Sequence, residues 1–151
     1  MDHNFSESLT IQKPTAQSGK GIVASQHKLA SRVGAQVLAE GGNAVDAAVA
    51  TAFAVSVLEP WMSGIGGGGH MLIRDTKDGK VHAIDYGMRS PKALDPADYP
   101  LSGEGRSTDL FPWPSVLEDR NAIGASSIAV PGQVDGMRVA LENFGTRSWK
   151  E

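Results

Sequence analysis

The sequence predicts a layered α/β or α+β sandwich, and three observations indicate this fold class. Helical and strand patterns alternate along the 151 residues, as they do in layered domains. The dipeptide Asp78-Gly79 stands between two short apolar runs, which is a strong signal for an antiparallel hairpin. The segment 44–58 is apolar on nearly every side and rich in alanine, which is typical of a helix that is packed on several faces.

The first part of the chain is predicted to hold a tail, a strand and a helix. Residues 1–18 are polar and unperiodic, so we expect an N-terminal tail followed by the domain over residues 19–151. The apolar run at 22–25 predicts a buried strand. A helix follows, because apolar residues then recur every four positions, and Gly41-Gly42 is expected to end it. Its apolar positions are Leu29, Val33 and Val37, with Ala30 and Leu38 beside them.

The second helix is predicted over residues 44–58. Asn43 is placed to cap its N-terminus, and Asp46 adds a carboxylate to the first turn, where the helix dipole favours negative charge. Pro60 follows the helix and limits its length. Its 15 residues are fewer than the roughly 20 that span a bilayer. We therefore interpret it as the central helix of a layered domain, with no membrane partner.

The rest of the chain is predicted to contain the hairpin, a long loop, a short strand and a last helix. The hairpin strands are His70–Arg74 and Val81–Asp85. Residues 90–121 carry five prolines and little periodicity, so a long ordered loop over the surface is expected. A brief strand is predicted at 127–130, and a helix after Pro131-Gly132 is expected to end near Asn143, with Gly145 just beyond it.

Composition excludes several classes of partner and chemistry. The chain has 14 Lys and Arg against 17 Asp and Glu, for a formal net charge of −3, and no window is dominated by one sign. A nucleic-acid partner is therefore not expected. The absence of cysteine excludes disulfides, thiolate metal sites and a cysteine nucleophile. The N-terminus shows no secretory signal, which favours a cytoplasmic over a periplasmic location without deciding it.

No metal or cofactor is predicted. The histidines at positions 3, 27, 70 and 82 include no i,i+4 pair, and although His70 and His82 lie on opposite arms of the hairpin, packed or solvated histidines are the more common case. Gly64, Gly66 and Gly69 match G-x-G-x-x-G, but a helix precedes them and a strand follows, the reverse of a dinucleotide fingerprint. Close backbone approach, between layers or to a neighbouring active site, is the favoured interpretation, with a nucleotide-binding module as the alternative.

Arg89 is the candidate substrate-binding residue. It follows the second hairpin strand, two residues after Gly87 and two before Pro91. One interpretation is a surface arginine that pairs with a local aspartate. The other is a planar fork that grips a substrate carboxylate through two parallel hydrogen bonds.

The order of these motifs resembles the N-terminal part of the large subunit of the γ-glutamyltransferase (γ-glutamyltranspeptidase) family. The resemblance covers about residues 19–151. The most specific pieces are Gly-Gly-Asn-Ala-Val-Asp-Ala-Ala at 41–48 and the glycine run at 64–69. Further matches are Gly21 to Ser25, Leu29-Ala30-Ser31, Glu59-Pro60, Ile84-Asp85, Ser90-Pro91, Ala129-Val130-Pro131-Gly132, Gly136 and Phe144-Gly145.

The resemblance implies a fold and a mechanism. The fold is the four-layer αββα sandwich of the N-terminal-nucleophile hydrolases, with only its N-terminal part in this chain. Members are made as precursors that cleave themselves into a large and a small subunit, and the nucleophile is the threonine freed at the start of the small subunit. None of the threonines here lies in that cleavage motif. No catalytic residue is therefore expected in these 151 residues, which should be inactive without the rest of the precursor.

The implied activity is transfer or hydrolysis of γ-glutamyl groups of glutathione-type amides through an acyl-threonine intermediate. An arginine after the second hairpin strand binds the substrate α-carboxylate in this family, but Gly87 occupies that position here. Arg89 is displaced by two residues and could project from the same face, since strand side chains alternate. Two alternatives stay open: a relative with another acyl or amide substrate, such as a cephalosporin-type acylase, and a non-catalytic truncated remnant.

Overall fold

The computed structural model describes residues 15–106 and 112–150, and these form a layer of helices packed on an antiparallel hairpin. The remaining residues, including most of the predicted tail, lie outside the described part of the chain. In chain order the elements are α1 (Lys28–Ala39), α2 (Ala44–Leu58), β1 (His70–Arg74), β2 (Val81–Asp85), β3 (Leu101–Arg106), β4 (Pro114–Val116) and α3 (Gln133–Phe144). No helix of the described residues combines the length and apolarity needed to cross a bilayer.

Helix α1 forms where the sequence predicts it, but only part of its predicted apolar stripe is buried. Leu29 and Val33 stay 49% and 40% exposed, whereas Ala30 and Gly34 are buried. A Cβ on Gly34 would collide with Thr51 Oγ1 of α2 and would lie 3.0 Å from the carbonyl oxygen of Ala47. The two helices therefore pack along their small residues, where the backbones come close.

The strand predicted at 22–25 is wrong. These residues have no regular structure, and Ile22 is 59% exposed. No strand of the described residues pairs with them, and an apolar run becomes a strand only when a neighbouring strand satisfies its backbone. Ser25 helps to start α1 instead, since its hydroxyl donates to the carbonyl of His27, the N-cap residue.

Helix α2 has the predicted bounds and the predicted cap. The Asn43 side chain accepts hydrogen bonds from the amides of Val45 (2.8 Å) and Asp46 (3.0 Å). In return Asp46 Oδ2 accepts from the amide of Asn43 (2.7 Å). This reciprocal capping box satisfies N–H groups that the helix itself cannot pair.

The same two side chains tie α2 to the end of α3, about 100 residues later in the chain. Asp46 Oδ1 accepts from the amides of Thr146 (2.9 Å) and Arg147 (3.2 Å), and Asp46 Oδ2 accepts from the Thr146 hydroxyl (2.6 Å). Asn43 Nδ2 donates to the carbonyl of Phe144 (2.7 Å). Burial of Asp46 by itself would raise its pKa, but these hydrogen bonds outweigh burial and hold the pKa below its ordinary value.

The hairpin β1–β2 has the predicted strands and packs one face against the helices. Its register pairs His70 with Asp85 and Ile73 with His82. The inward face contributes to one core with α2 and α3, made of Val45, Val49, Ile73, Met137, Ala140 and Leu141. On the outward face, Leu72 and Val81 are 75% and 64% exposed. In a four-layer sandwich this is the face on which a second sheet packs.

The segment between the hairpin and α3 differs from the prediction in two places. The expected loop at 90–121 contains a small hairpin, β3 with β4, whose strand Leu101–Arg106 has two glycines with positive φ and no apolar alternation to reveal it. The strand expected at 127–130 is wrong: residues 125–127 form a 3₁₀ turn, and only Val130 forms an isolated bridge. Helix α3 runs one residue past Asn143, and Gly145 follows it as predicted.

Asp46→Ala in the complete protein is expected to lower the free energy of unfolding by about 3 kcal/mol, because buried donors lose a charged acceptor. The loss should depend on pH. The folded-state pKa of Asp46 lies below its ordinary value, so its stabilisation is complete above the unfolded-state pKa of about 3.9. It disappears as the pH falls through the lower folded-state pKa. Denaturant unfolding between about pH 7 and pH 2.5 measures the difference.

The matched control is Asp98→Ala, which removes an exposed carboxylate and is expected to change the free energy of unfolding by less than ~0.5 kcal/mol. A loss for Asp46→Ala that is no larger than this, or that persists unchanged at acid pH, would contradict the anchoring role of Asp46.

Candidate functional site

The glycine run, residues 64–69, joins the hairpin to the N-terminus of α3. Gly69 and Tyr86 exchange backbone hydrogen bonds (3.3 and 3.0 Å), which extends the hairpin by one pair. The carbonyl of Gly67 accepts from the amides of Gly132 and Gln133, both at 3.0 Å. These two amides begin α3, so a protein carbonyl already occupies the donors that a phosphate at this helix end would use.

The close backbone approach expected of the glycine run is confirmed at Gly68. A Cβ there would lie 2.7 Å from both the Met88 nitrogen and the Tyr86 carbonyl oxygen, a separation that only glycine permits. On the other side of Tyr86, added Cβ atoms on Gly132 and Gly136 would overlap its backbone oxygen and its ring. Tyr86 is therefore enclosed by glycines from two elements, and burial raises the pKa of its phenol.

Arg89 lies three residues after Tyr86, in the segment whose position is set by the packing of Tyr86 against the glycines. Its backbone forms an isolated antiparallel bridge with Val130, with N···O distances of 3.1 and 2.8 Å. Its side chain is exposed and makes no ion pair or hydrogen bond within residues 15–106 and 112–150. The nearby carboxylate of Asp85 is directed elsewhere, 3.3 Å from His70 Nδ1 and 2.9 Å from the amide of Gly87.

Position 87 can accept a side chain. Gly87 does not have a positive φ, and a Cβ there would meet only the Asp85 Oδ1 atom, at 3.2 Å. That atom is the end of an exposed side chain, so a shift of a few tenths of an ångström would make room for the Cβ. The backbone therefore does not require glycine at this position, in contrast to Gly68.

A depression of about 350 Å³ opens beside the glycine run. Its walls are Pro60, Met62, Ser63, four glycines of the run and Gln133. Gln133 is only 7% exposed. Sequence reasoning missed this residue, although a polar side chain at the first position of a helix that follows Pro-Gly was the available signal.

The two hairpin histidines do not face each other, because His70 lies opposite Asp85 and His82 opposite Ile73. Ligand atoms of Asp75, Asp78 and His82 lie within 4.8 Å of one another at the hairpin turn. These are the described residues that could together hold a divalent cation. The expectation of no metal site stays a prediction.

The sequence of this chain matches a known protein family and two known proteins. Residues 30–151 match the profile of the gamma-glutamyltranspeptidase family. The chain is 44% identical over 131 residues to the glutathione hydrolase proenzyme of Bacillus subtilis (strain 168), covering 87% of this chain and 21% of that protein. It is 41% identical over 137 residues to the acylase ACY 1 proenzyme of Pseudomonas sp. (strain SE83), covering 91% of this chain and 24% of that protein.

A solved structure extends the likeness to the fold. The crystal structure of Helicobacter pylori gamma-glutamyltranspeptidase aligns with a TM-score of 0.75 at 34% identity, covering 89% of this chain and 35% of that one. The helix layer and its hairpin are thus part of an N-terminal-nucleophile hydrolase fold. The chain belongs to the γ-glutamyltranspeptidase family, and it spans between a fifth and a quarter of the length of these curated relatives.

Gly68→Ala in the complete protein is expected to lower the free energy of unfolding by about 2 kcal/mol, because the added methyl group must push apart the glycine run and the backbone at 86–88. Gly66→Ala is the matched control: a Cβ at Gly66 would meet no atom within 4 Å, so its effect should stay within ~0.5 kcal/mol. Denaturant unfolding measures both variants. Equal effects would mean that the close approach at Gly68 does not hold this site together.

Proposed function

We propose that this chain is the N-terminal part of the large subunit of an enzyme that hydrolyses or transfers γ-glutamyl groups of glutathione-type amides. The nucleophile is a threonine that lies outside these 151 residues, at the start of the small subunit. Its hydroxyl attacks the γ-carbonyl carbon, the C–N bond breaks, and the amine leaves with a proton. Water or an acceptor amine then takes the acyl group from the threonine.

The observation that carries the proposal is the guanidinium of Arg89. A γ-glutamyl group brings an α-carboxylate, and a buried carboxylate needs a charged partner. Arg89 has no side-chain partner among the described residues, and the Val130 bridge fixes its backbone beside the glycine run. Similarity to a glutathione hydrolase proenzyme supports the same substrate class. The name proenzyme supports self-cleavage and the rest of the precursor as the partner.

An acylase with another acyl group is the second candidate, and Gly87 is the observation that favours it. The family arginine is replaced there by a glycine that the backbone does not require. Similarity to the acylase ACY 1 proenzyme supports this alternative. The two functions differ in whether the substrate brings a carboxylate to the segment that carries Gly87 and Arg89.

In either case these 151 residues alone are proposed to be inactive, since they lack the nucleophile. The non-catalytic remnant is the third possibility. The reading frame distinguishes it from both enzymes. A frame that continues into a Thr-Thr-His-type cleavage motif supports an enzyme, and a frame without this motif supports the remnant.

Arg89→Ala in the complete, matured protein is expected to lower kcat/KM for γ-glutamyl-p-nitroanilide by about a hundredfold, because a charge-assisted bidentate pair is lost. Arg89→Lys should recover little, since an ammonium cannot reproduce the planar fork. An analogue without the α-carboxylate should be almost unaffected by either change. Equal losses on both substrates would assign Arg89 to the fold and remove its carboxylate role.

The complementary variant moves the arginine back, as Gly87→Arg with Arg89→Met. A gain in γ-glutamyl turnover over the parent protein would favour the acylase interpretation, because it would show that the parent lacks a working clamp. A loss comparable to that of Arg89→Ala would support the displaced clamp.

A further inference from the structure

Gln133 is a buried polar side chain that has no hydrogen-bond partner within residues 15–106 and 112–150. It is 7% exposed, and only its backbone amide is engaged, by the carbonyl of Gly67. Its carboxamide makes no hydrogen bond to any described residue. A buried amide normally finds partners, because an unpaired one has lost its hydrogen bonds to water without replacing them.

Gln133 is one of the residues that line the depression beside the glycine run. No side-chain nitrogen or oxygen in the described residues is both fully enclosed and unpaired. The carboxamide of Gln133 therefore retains accessible surface, and the depression is the cavity that this residue lines. The Ser63 hydroxyl lies in the same wall.

Two glycines of this wall have no explanation within the described residues. A Cβ on Gly64 or Gly66 would meet no atom within 4 Å, and neither residue has a positive φ. Glycine where there is neither strain nor crowding indicates that another group comes close to the backbone when the site is filled. The approach is from the depression, since both residues line it.

The lining defines what the depression can bind. Its polar side chains are an amide and a hydroxyl, its apolar ones are Pro60 and Met62, and none of the described residues that line it is charged. A carboxamide offers one acceptor and two donor hydrogens, which is the complement of a peptide amide. A charged group would lack a counter-charge here.

We propose that the depression at the glycine run and Gln133 is a subsite for a neutral peptide amide in the part of the substrate that leaves, beyond the scissile bond. Gln133 pairs with the N–H and C=O of that amide, and Gly64 and Gly66 allow the chain to lie against the backbone. The subsite shares the glycine run as a wall with the segment that carries Arg89. This inference rests on the proposed amide-cleaving function.

The test compares leaving groups in the complete, matured protein. Gln133→Met keeps the side-chain volume and removes the donors and the acceptor that would pair with the substrate amide. With a substrate whose leaving group is a dipeptide, kcat/KM is expected to fall about tenfold, mainly through KM. With the anilide of the same acid, which has no second amide, it should stay within about twofold. Gln36→Met, on the exposed face of α1, is the control and should change neither.

The acyl part of both substrates is the γ-glutamyl group or, if the acylase function holds, whichever acyl group the enzyme accepts. Failure of the γ-glutamyl assignment therefore leaves this comparison intact. A direct titration with N-acetylglycinamide, followed by NMR, tests the subsite without turnover. Gln133→Met should weaken this binding about tenfold, and Gln36→Met should not.

Equal losses on the two leaving groups would overturn the proposal, and would mean that a segment of the protein itself fills the depression. Gln133→Met would overturn it as well if it left kcat/KM unchanged for both leaving groups, or if it left the binding of N-acetylglycinamide unchanged. If Gln133→Met does not mature, Gln133→Asn and Ser63→Ala replace it. Each should lower turnover of the dipeptide amide selectively, by about threefold or more, and a loss shared with the anilide would again contradict the subsite.

Discussion

Helix α3 is held at both ends by hydrogen bonds to segments far away in the sequence, and the candidate site depends on this arrangement. At its start, the carbonyl of Gly67 accepts from the amides of Gly132 and Gln133. Beyond its end, the carboxylate of Asp46 accepts from Thr146 and Arg147. Helix termini carry N–H and C=O groups that need outside partners. Here those partners fix the direction of α3 against the hairpin.

Tyr86 packs closely against glycines of both α3 and the glycine run. Glycines at 68, 132 and 136 provide the space. The chain beyond Tyr86 therefore emerges in a defined direction, and the bridge to Val130 continues the constraint to Arg89. The glycine run thus contacts both the segment that carries Arg89 and the start of α3 with Gln133, although 44 residues separate Arg89 and Gln133 along the chain.

Local signals made the regular elements predictable, and long-range contacts explain what was missed. The Asn43 cap, the bounds of α2 and the β1–β2 hairpin follow from neighbouring residues. The bonds from Asp46 to residues 146 and 147 do not, because nothing in a capping box shows that its carboxylate will accept a second set of donors. The strand expected at 22–25 does not form, because no strand of the described residues lies beside it to pair with its backbone. Strand β3 was missed because it contains glycines with positive φ and lacks the apolar alternation of a typical strand.

The candidate site likewise contains residues that the sequence pointed to and residues that only the structure reveals. Arg89 could be singled out because its type and position resemble a family clamp, but only the structure shows that its side chain has no partner among the described residues. Gln133 carries no motif and became a candidate through its burial and its place in the wall. Gly87 is informative in both ways, since the family resemblance implies an arginine at this position and the structure shows that the backbone does not require glycine there.

The most direct measurement is a crystal structure of the complete, matured protein with a non-hydrolysable γ-glutamyl dipeptide analogue. The account predicts the ligand α-carboxylate about 2.8 Å from both terminal nitrogens of Arg89, with the dipeptide amide against Gln133 and the glycine run. An analogue bound away from the glycine run, with Arg89 still directed to solvent, would contradict the account.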